Sequence, residues 1–286
     1  MNEESGQSMV VAALFMIAFI GMLGLVIDMG MGYAKYRQMQ TAADTAALAA
    51  TRELALGNGD AAAIDRITQT LLANGADVDL SEYTLTEDHA EVTARTRYTP
   101  AFTPIFGLTE IPVNAAADAQ YGRQAQSGDL LPFAVDQDLW VLDQEVNIWI
   151  GETGPGGNFG WVHWGGQSQS SSVLRANIDD TSNSGVVTIG DQIAGKTGVS
   201  ISSVRGSLNN RVGEVIDVFF YDPDEITGSG ANLRYTVTGF GKFRVTGVTV
   251  RGTRSQIRGY FEQSVVLGGK IIPGMTLGSM AAGLVD

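Results

Sequence analysis

The chain has 286 residues, 44% hydrophobic and 17% charged, which supplies enough apolar material for folded cores, suits about two domains and excludes a disordered protein. Against 31 Asp and Glu stand 18 Lys and Arg, a formal charge of -13 that opposes nonspecific binding to nucleic acid and to anionic headgroups and argues against a nucleic-acid reader. With no cysteine there is no disulfide scaffold, thiolate metal site or cysteine nucleophile, and two histidines, His89 and His163, leave few routes to imidazole chemistry.

From Met9 to Ile27 the sequence reads MVVAALFMIAFIGMLGLVI, with no charge. As a helix this run is roughly 28 Å long, close to a bilayer core of about 30 Å. A cleaved secretory signal would open on a basic stretch and close on a small-x-small site, whereas Glu3 and Glu4 precede this run and Asp28 ends it. The run therefore reads as a retained membrane anchor. The segment YAKYRQMQTAADTAALAATRELAL after Gly32 contains no proline and consists of good to moderate helix formers, so the helix is expected to continue to about Leu56, where Gly57, Asn58 and Gly59 stop it. Residues 9–56 as one helix would reach about 72 Å, far more than a membrane requires, which suggests a stalk or assembly surface. Ala46, Ala47, Ala49 and Ala50 around Leu48 offer a small-residue surface for close helix contact, and Gly21 and Gly24 do so within the span at three-residue spacing.

The stretch GQSMVVAALFMIAFIGMLGLVIDMGMGYAKYRQMQTAADTAALAATREL resembles the N-terminal region of TadE/TadG-like proteins of the tight-adherence (Flp) pilus-assembly system. The resemblance rests on the apolar span, on D-x-G at Asp28 to Gly30, on Tyr33, Lys35 and Arg37, and on Q-x-A-A-D-x-A-A-L-A with Gln40, Ala43, Asp44 and Ala47. It continues weakly to about Gly122. The resemblance implies a pseudopilin-like or minor pilus component, held in the membrane by its N-terminal helix with the bulk outside the cytoplasm. Its implied partners are other pilus or secretion-apparatus proteins. Prepilin-like members are cut after a glycine and carry an acid five residues into the mature chain; a cut between Gly6 and Gln7 would place Val11 there. Lys35 and Arg37 follow the span, which by charge alone favours the opposite orientation, although a following region of roughly 250 residues translocates largely regardless of charge.

Beyond the stalk, Asp60 is expected to cap a second helix with Ile64, Ile67, Leu71 and Leu72 on one face and Gly75 at its end. YTLTEDHAEVTARTRY reads as a hairpin, with Tyr83 and Leu85 on one arm, Val92, Ala94 and Thr96 on the other, and Glu87, Asp88 and His89 near the turn. Pro100, Pro104 and Pro112 punctuate short strands after it. The polar GRQAQSG from Gly122 to Gly128 is expected to be a linker, and from residue 129 short β-rich runs bounded by Gly, Asn, Asp and Ser predict a sandwich or barrel. Within that region only SSVRGSLNNRVG invites a helix. The fold class is α+β: a long transmembrane and stalk helix (1–58), a small helix-plus-sheet unit (59–122), a linker (123–128) and a β-rich domain (129–286).

The segment GETGPGGNFGWVHWGG clusters Trp161, His163 and Trp164 behind glycines that match neither a dinucleotide nor a phosphate-loop pattern. Exposed tryptophans beside such a loop could stack on a sugar or dock a partner, but aromatics of this kind more commonly fill a core. His163 has no identifiable carboxylate or imidazole partner in the sequence, and His89 is expected in an exposed turn. Asp136 with Asp138, Asp179 with Asp180, and Asp222, Asp224 and Glu225 have oxygen ligands suited to calcium without the EF-hand spacing, and read first as solvated loops. Lys242, Arg244, Arg251, Arg254 and Arg258 form a basic strip with no acid between Ile226 and Phe261. That strip could dock the acidic stalk of another copy, or be alternate solvent-facing positions on strands. No catalytic motif and no cofactor motif appears. The expectation is a non-enzymatic component that self-associates through Gly21, Gly24, Asp28, Gly30, Gln40, Ala43, Asp44, Ala46 and Ala47. The alternatives are a filament-forming subunit with its helices packed as a core, and a tethered carbohydrate-binding adhesin.

Overall fold

The computed structural model describes residues 3–150, 160–197, 203–251, 254–273 and 277–285. They form a mixed α+β fold: a long apolar N-terminal helix, a second helix, then a mostly β region with short helices. The chain divides into two compact units, residues 1–120 with 284–286, and residues 121–283.

In the first unit, α1 (Glu3–Ala55) and α2 (Gly59–Ala73) precede β1 (Glu82–Leu85), β2 (His89–Tyr98) and β3 (Ile111–Gln124), the last running to the unit boundary and past it. Helix α1 begins earlier than the apolar pattern required and ends where expected. Gly57 takes φ 71°, and the Gly57 and Asn58 N–H groups donate back to Leu54 and Glu53, closing the last turn. Asp60 lies within the first turn of α2 and Asn58 holds the cap position, so the expected aspartate cap is corrected by two residues. The buried face of α2 is Ala63, Ile67 and Leu71, while Leu72 is exposed. Strands β1, β2 and β3 form an antiparallel meander, with Tyr83 opposite Val92 and Ala90 opposite Ala119. Ala90, Val92 and Ala94 alternate inward along β2 and join Ala115 and Ala119 of β3 against the helices, as a period of two requires. Pro100 and Pro104 do not punctuate strands: they shape a loop whose residues Thr103–Phe106 make a 3₁₀ turn.

In the second unit the main sheet has the order β5 (Leu130–Asp136), β10 (Val215–Tyr221), β11 (Arg234–Arg251), β12 (Arg254–Glu262) and β6 (Glu145–Ile150). The pairing of β5 with β10 is parallel and the rest are antiparallel. Strand β9 (Gln192–Gly195) adds to the start of β11 and carries β7 (Val162–His163) on its other side. The sheet is buried on both faces. Ile216, Val218 and Phe220 of β10 point to one side with Leu131, Phe133, Phe243 and Val245, and Phe219 points to the other with Leu130, Tyr235 and Phe240. Two short helices, α3 (Ser171–Asp179) and α4 (Arg205–Asn210), contribute Leu174, Ile178 and Leu208 to the first face. The helix α4 falls in the one segment that invited it. Helix α3 was not expected; it is nucleated locally by Ser170, whose hydroxyl accepts from the Val173 N–H, and its apolar pair Leu174 and Ile178 sits at helical spacing.

The expected linker is also corrected. Residues up to Gln124 continue β3, where Arg123 and Gln124 pair with Ile272 and Ile271 of β14 (Ile271–Ile272), and Gln126 and Ser127 form β4 (Gln126–Ser127) against β8 (Val187–Thr188). Small β13 (Val265–Leu267) lies parallel to β15 (Met280–Leu284). A polar, glycine-bearing segment can thus be strand when partners distant in sequence satisfy its backbone.

Tyr221 and Tyr235 meet with ring centroids 4.7 Å apart, and burial raises the pKa of both phenols, Tyr235 to about 12. An unfolded tyrosine ionises near pH 10, so the fold favours the neutral phenol and its contribution is intact below about pH 10 and lost as pH rises toward 12. For Tyr235 alone this amounts to about 2–3 kcal/mol. Denaturant unfolding from pH 8 to 12 is expected to show this loss, and Tyr235→Phe to reduce its slope; a flat profile shared by both proteins would refute the assignment.

Candidate functional site

The alanine face of α1 is occupied within its own unit. Ala42, Ala43, Ala46, Ala47 and Ala50 are fully buried and pack with α2 residues Ala63 and Ile67 and with the inner face of β2 and β3. Small side chains let the helix backbone approach a sheet whose facing residues are themselves mostly alanine. The expectation that Ala43, Ala46 and Ala47 face another copy is corrected on this point. The Gln40 amide donates to Asp44 Oδ1 at 2.7 Å and to the Ala116 carbonyl at 3.3 Å, tying α1 to β3. Thr51 donates to Ala47 O at 2.7 Å, and its hydroxyl also lies 3.2 Å from Ala119 O. Gln40 and Asp44 with Glu91, Ala116, Asp118 and Leu284 line an open groove of about 390 Å³.

At the other end of this packed segment, Asp28 closes a clasp. The side chain is 3% exposed, and its carboxylate accepts from three backbone N–H groups of the loop after β2. Those of Ala101 and Thr103 lie at 2.7 Å, and that of Phe102 at 3.0 Å. Tyr98 Oη donates to the Asp28 carbonyl at 3.2 Å. A Cβ on Gly24 would come within 2.6 Å of Phe102 Cγ, and one on Gly32 within 2.6 Å of Tyr98 Oη. Gly24 therefore serves a contact inside the chain, whereas the positions of Gly21 and Gly30 are open. The acid of D-x-G thus gathers the N–H groups that precede a 3₁₀ turn, where an anion is favoured. The sequence pattern puts Asp28 on a helix surface and does not mark Tyr98, Phe102 and Thr103 as its partners; the signal for them is an uncharged, proline-bearing stretch whose N–H groups need acceptors.

N-terminal to this clasp, α1 has no cover. Met9, Phe15, Phe19, Met22 and their neighbours through Ile27 are exposed on all sides of the helix, apart from Gly24. The helix is long and apolar enough to cross a membrane.

The tryptophan segment has a different role from the one a sugar site would need. Trp161 is completely buried, bridges to Phe133 and meets its ring edge-on at 5.3 Å. Trp164 is buried against Phe219. Neither presents a face for stacking, which corrects the glycan-contact expectation for both. Gly160 permits the close approach: its φ is 80°, and a Cβ there would meet the Phe133 ring at 2.6 Å. Residues 151–159 of the glycine-rich loop lie outside the described residues. His163 Nε2 lies 3.1 Å from Gln169 Nε2, and the Gln169 carbonyl accepts from the buried Lys196. Burial holds the His163 imidazole and the Lys196 ammonium below their ordinary pKa values. His89 is half-buried and pairs with Asp88 at 2.7 Å, a contact that lowers the Asp88 pKa.

The charged clusters resolve into local structure. Asp222 accepts from the Asp224 N–H and caps a 3₁₀ turn, Pro223–Glu225, and Asp136 does the same for Asp138. Among the described residues no three His, Cys, Asp or Glu side chains are gathered as a metal cluster, and Asp222, Asp224 and Glu225 belong to this capped turn. Strand pairing also gives two residues of the basic strip acid partners: Lys242 pairs with Asp217 at 2.8 Å, and Arg244 with Glu262. Arg258 is exposed, and the side chains of Arg251 and Arg254 lie outside the described residues.

Residues 6–63 match the family model described as putative Flp pilus-assembly TadE/G-like. The match covers the apolar run, Asp28, the Gln40 to Ala50 packing face and the start of α2. No curated protein and no solved structure matches the chain.

Proposed function

We propose that the chain is a non-enzymatic, pseudopilin-like component of a Flp-type pilus or related surface apparatus, anchored by the apolar half of α1 with its folded units outside the cytoplasm. The observation that carries this reading is the division of one continuous helix. Residues 9–27 are apolar and, apart from Gly24, uncovered, while the segment from Met39 to Ala50 is packed into a folded unit, so any tilt or displacement of the anchor acts directly on that unit. The TadE/G-like match lies on this same helix, which supports a role beside pilus-apparatus proteins.

An apolar helix exposed all round also suits a helix bundle, which favours a filament-forming subunit as the second reading. Electron microscopy of material sheared from expressing cells, with mass spectrometry of its N-termini, separates the two. The proposal expects the chain in the membrane fraction, resistant to alkaline carbonate, and absent from sheared filaments. Filaments built of chains beginning at Gln7 would overturn it in favour of the subunit.

A further inference from the structure

We infer that the loop of residues 100–108 is a second membrane contact, a hydrophobic wedge that enters the lipid headgroup region beside α1. The inference rests on the reading that α1 crosses the bilayer. Its tip is Ile105 and Phe106, 80% and 79% exposed, followed by Leu108 at 56%, and no charged residue lies between Arg97 and Glu110. In water such a cluster is costly, since large apolar side chains are left wet at the end of a well-packed unit.

The clasp fixes the height of the loop. Phe102 packs on Gly24, which lies three residues before the apolar run ends at Ile27, or about 4–5 Å inside it along the helix axis. Asp28, holding Ala101, Phe102 and Thr103, sits at the first charged position after the run. If residues 9–27 fill the hydrocarbon, the loop is carried to the edge of that layer. The residues bracketing it suit the adjoining headgroup zone: Tyr33, Tyr36 and Tyr98 are amphipathic, Lys35 can extend toward water, and Arg97 pairs with Glu110 at 3.6 Å.

The loop is also chemically prepared for an apolar setting, where an unpaired N–H is expensive. Three donors go to Asp28. Those of Ile105, Gly107 and Leu108 go to the carbonyls of Phe102, Pro104 and Thr103 at 3.2, 3.0 and 3.3 Å, and Pro100 and Pro104 have no N–H. A docking surface for a protein would not require this internal satisfaction, and the patch is continuous with the uncovered apolar face of α1; lipid is therefore the occupant.

The cysteine-free sequence permits a direct test. Phe106→Cys, Phe19→Cys and Val186→Cys, all at exposed positions, each carry a nitroxide in the full chain, reconstituted in vesicles of phosphatidylethanolamine and phosphatidylglycerol. Electron paramagnetic resonance then gives the ratio of accessibility to oxygen, which concentrates in lipid, over accessibility to a water-soluble nickel chelate. The ratio at 106 is expected to be several-fold that at 186 and to approach that at 19, with Ile105→Cys repeating the result. A ratio at 106 equal to that at 186, with 19 immersed, overturns the wedge and leaves the anchor standing. Exclusion of both reagents from 106 overturns it in favour of a protein contact, including another copy. Access of the chelate to 19 overturns the anchor, and the wedge with it.

Discussion

Trp161→Ala is expected to destabilise the second unit by about 3–5 kcal/mol, the range for removing a fully buried large aromatic. For a unit of this size that corresponds to a fall in Tm of roughly 6–20 °C. The loss has two parts: the apolar surface of the indole, which packs in the cluster containing Phe133, Leu174 and Val218, and the cavity left beside the Phe133 ring. Among the described residues the buried indole Nε1 has no hydrogen-bond partner, so Trp161→Phe keeps much of the aromatic surface while removing that donor. It is expected to cost less than half as much. Thermal unfolding followed by near-ultraviolet circular dichroism measures both variants. A Trp161→Ala protein with unchanged Tm that loses retention on glycans would restore the adhesin reading and show that the side chain is available to ligand.

Ala46→Leu is expected to destabilise the first unit by about 1–3 kcal/mol through overpacking, and by more if α1 must move away from the sheet. Ala46 has no exposed surface, and its neighbours in the cluster include Ala42, Ala50, Ile67 and Val92. The isopropyl group that leucine adds would have to displace these buried neighbours. Thr45→Leu, one position away on the exposed side, serves as the control and should fall within about 0.5 kcal/mol of the parent. Protease resistance of the folded unit in detergent, measured across a temperature series, distinguishes the two. If Ala46→Leu leaves that resistance intact and abolishes only association between copies, the alanine face is an intermolecular surface after all.

Ala46 and Asp28 show which part of a packed helix the sequence leaves unsaid. The alanine run announced close packing, because small residues on one side of a helix admit a nearby backbone, but the packing partner was not legible. It lies in α2 and in strands beginning about 40 residues later, and nothing in a run of alanines distinguishes an intramolecular sheet from a second helix. Asp28 presents the same case with a charge. Ending an apolar run, it looked like a boundary residue; its partners Ala101, Phe102 and Thr103 are backbone groups, which carry no side-chain signal. The basic strip divides in the same way: Lys242 and Arg244 do alternate with buried Phe243 and Val245 on β11, as the strand reading expects, but their partners were not legible. No acid occurs near Lys242 and Arg244 along the preceding chain, yet the register of β10, β11 and β12 sets Asp217 opposite Lys242, and Glu262 within reach of Arg244.

What the sequence determined by itself were the properties that depend on near neighbours. The uncharged length of residues 9–27, the proline-free continuation of α1, the glycine at its end and the two-residue alternation of β2 each express a preference of a few consecutive residues, and the fold obeys them. The tertiary structure alone decided which surfaces are spent. It buried Trp161, consumed the alanine face, paired the basic strand and left Ile105 and Phe106 uncovered beside the apolar helix. Burial and pairing are set by contacts between segments far apart in the chain, whose free energy depends on the packing of the whole unit and cannot be assigned to any local stretch.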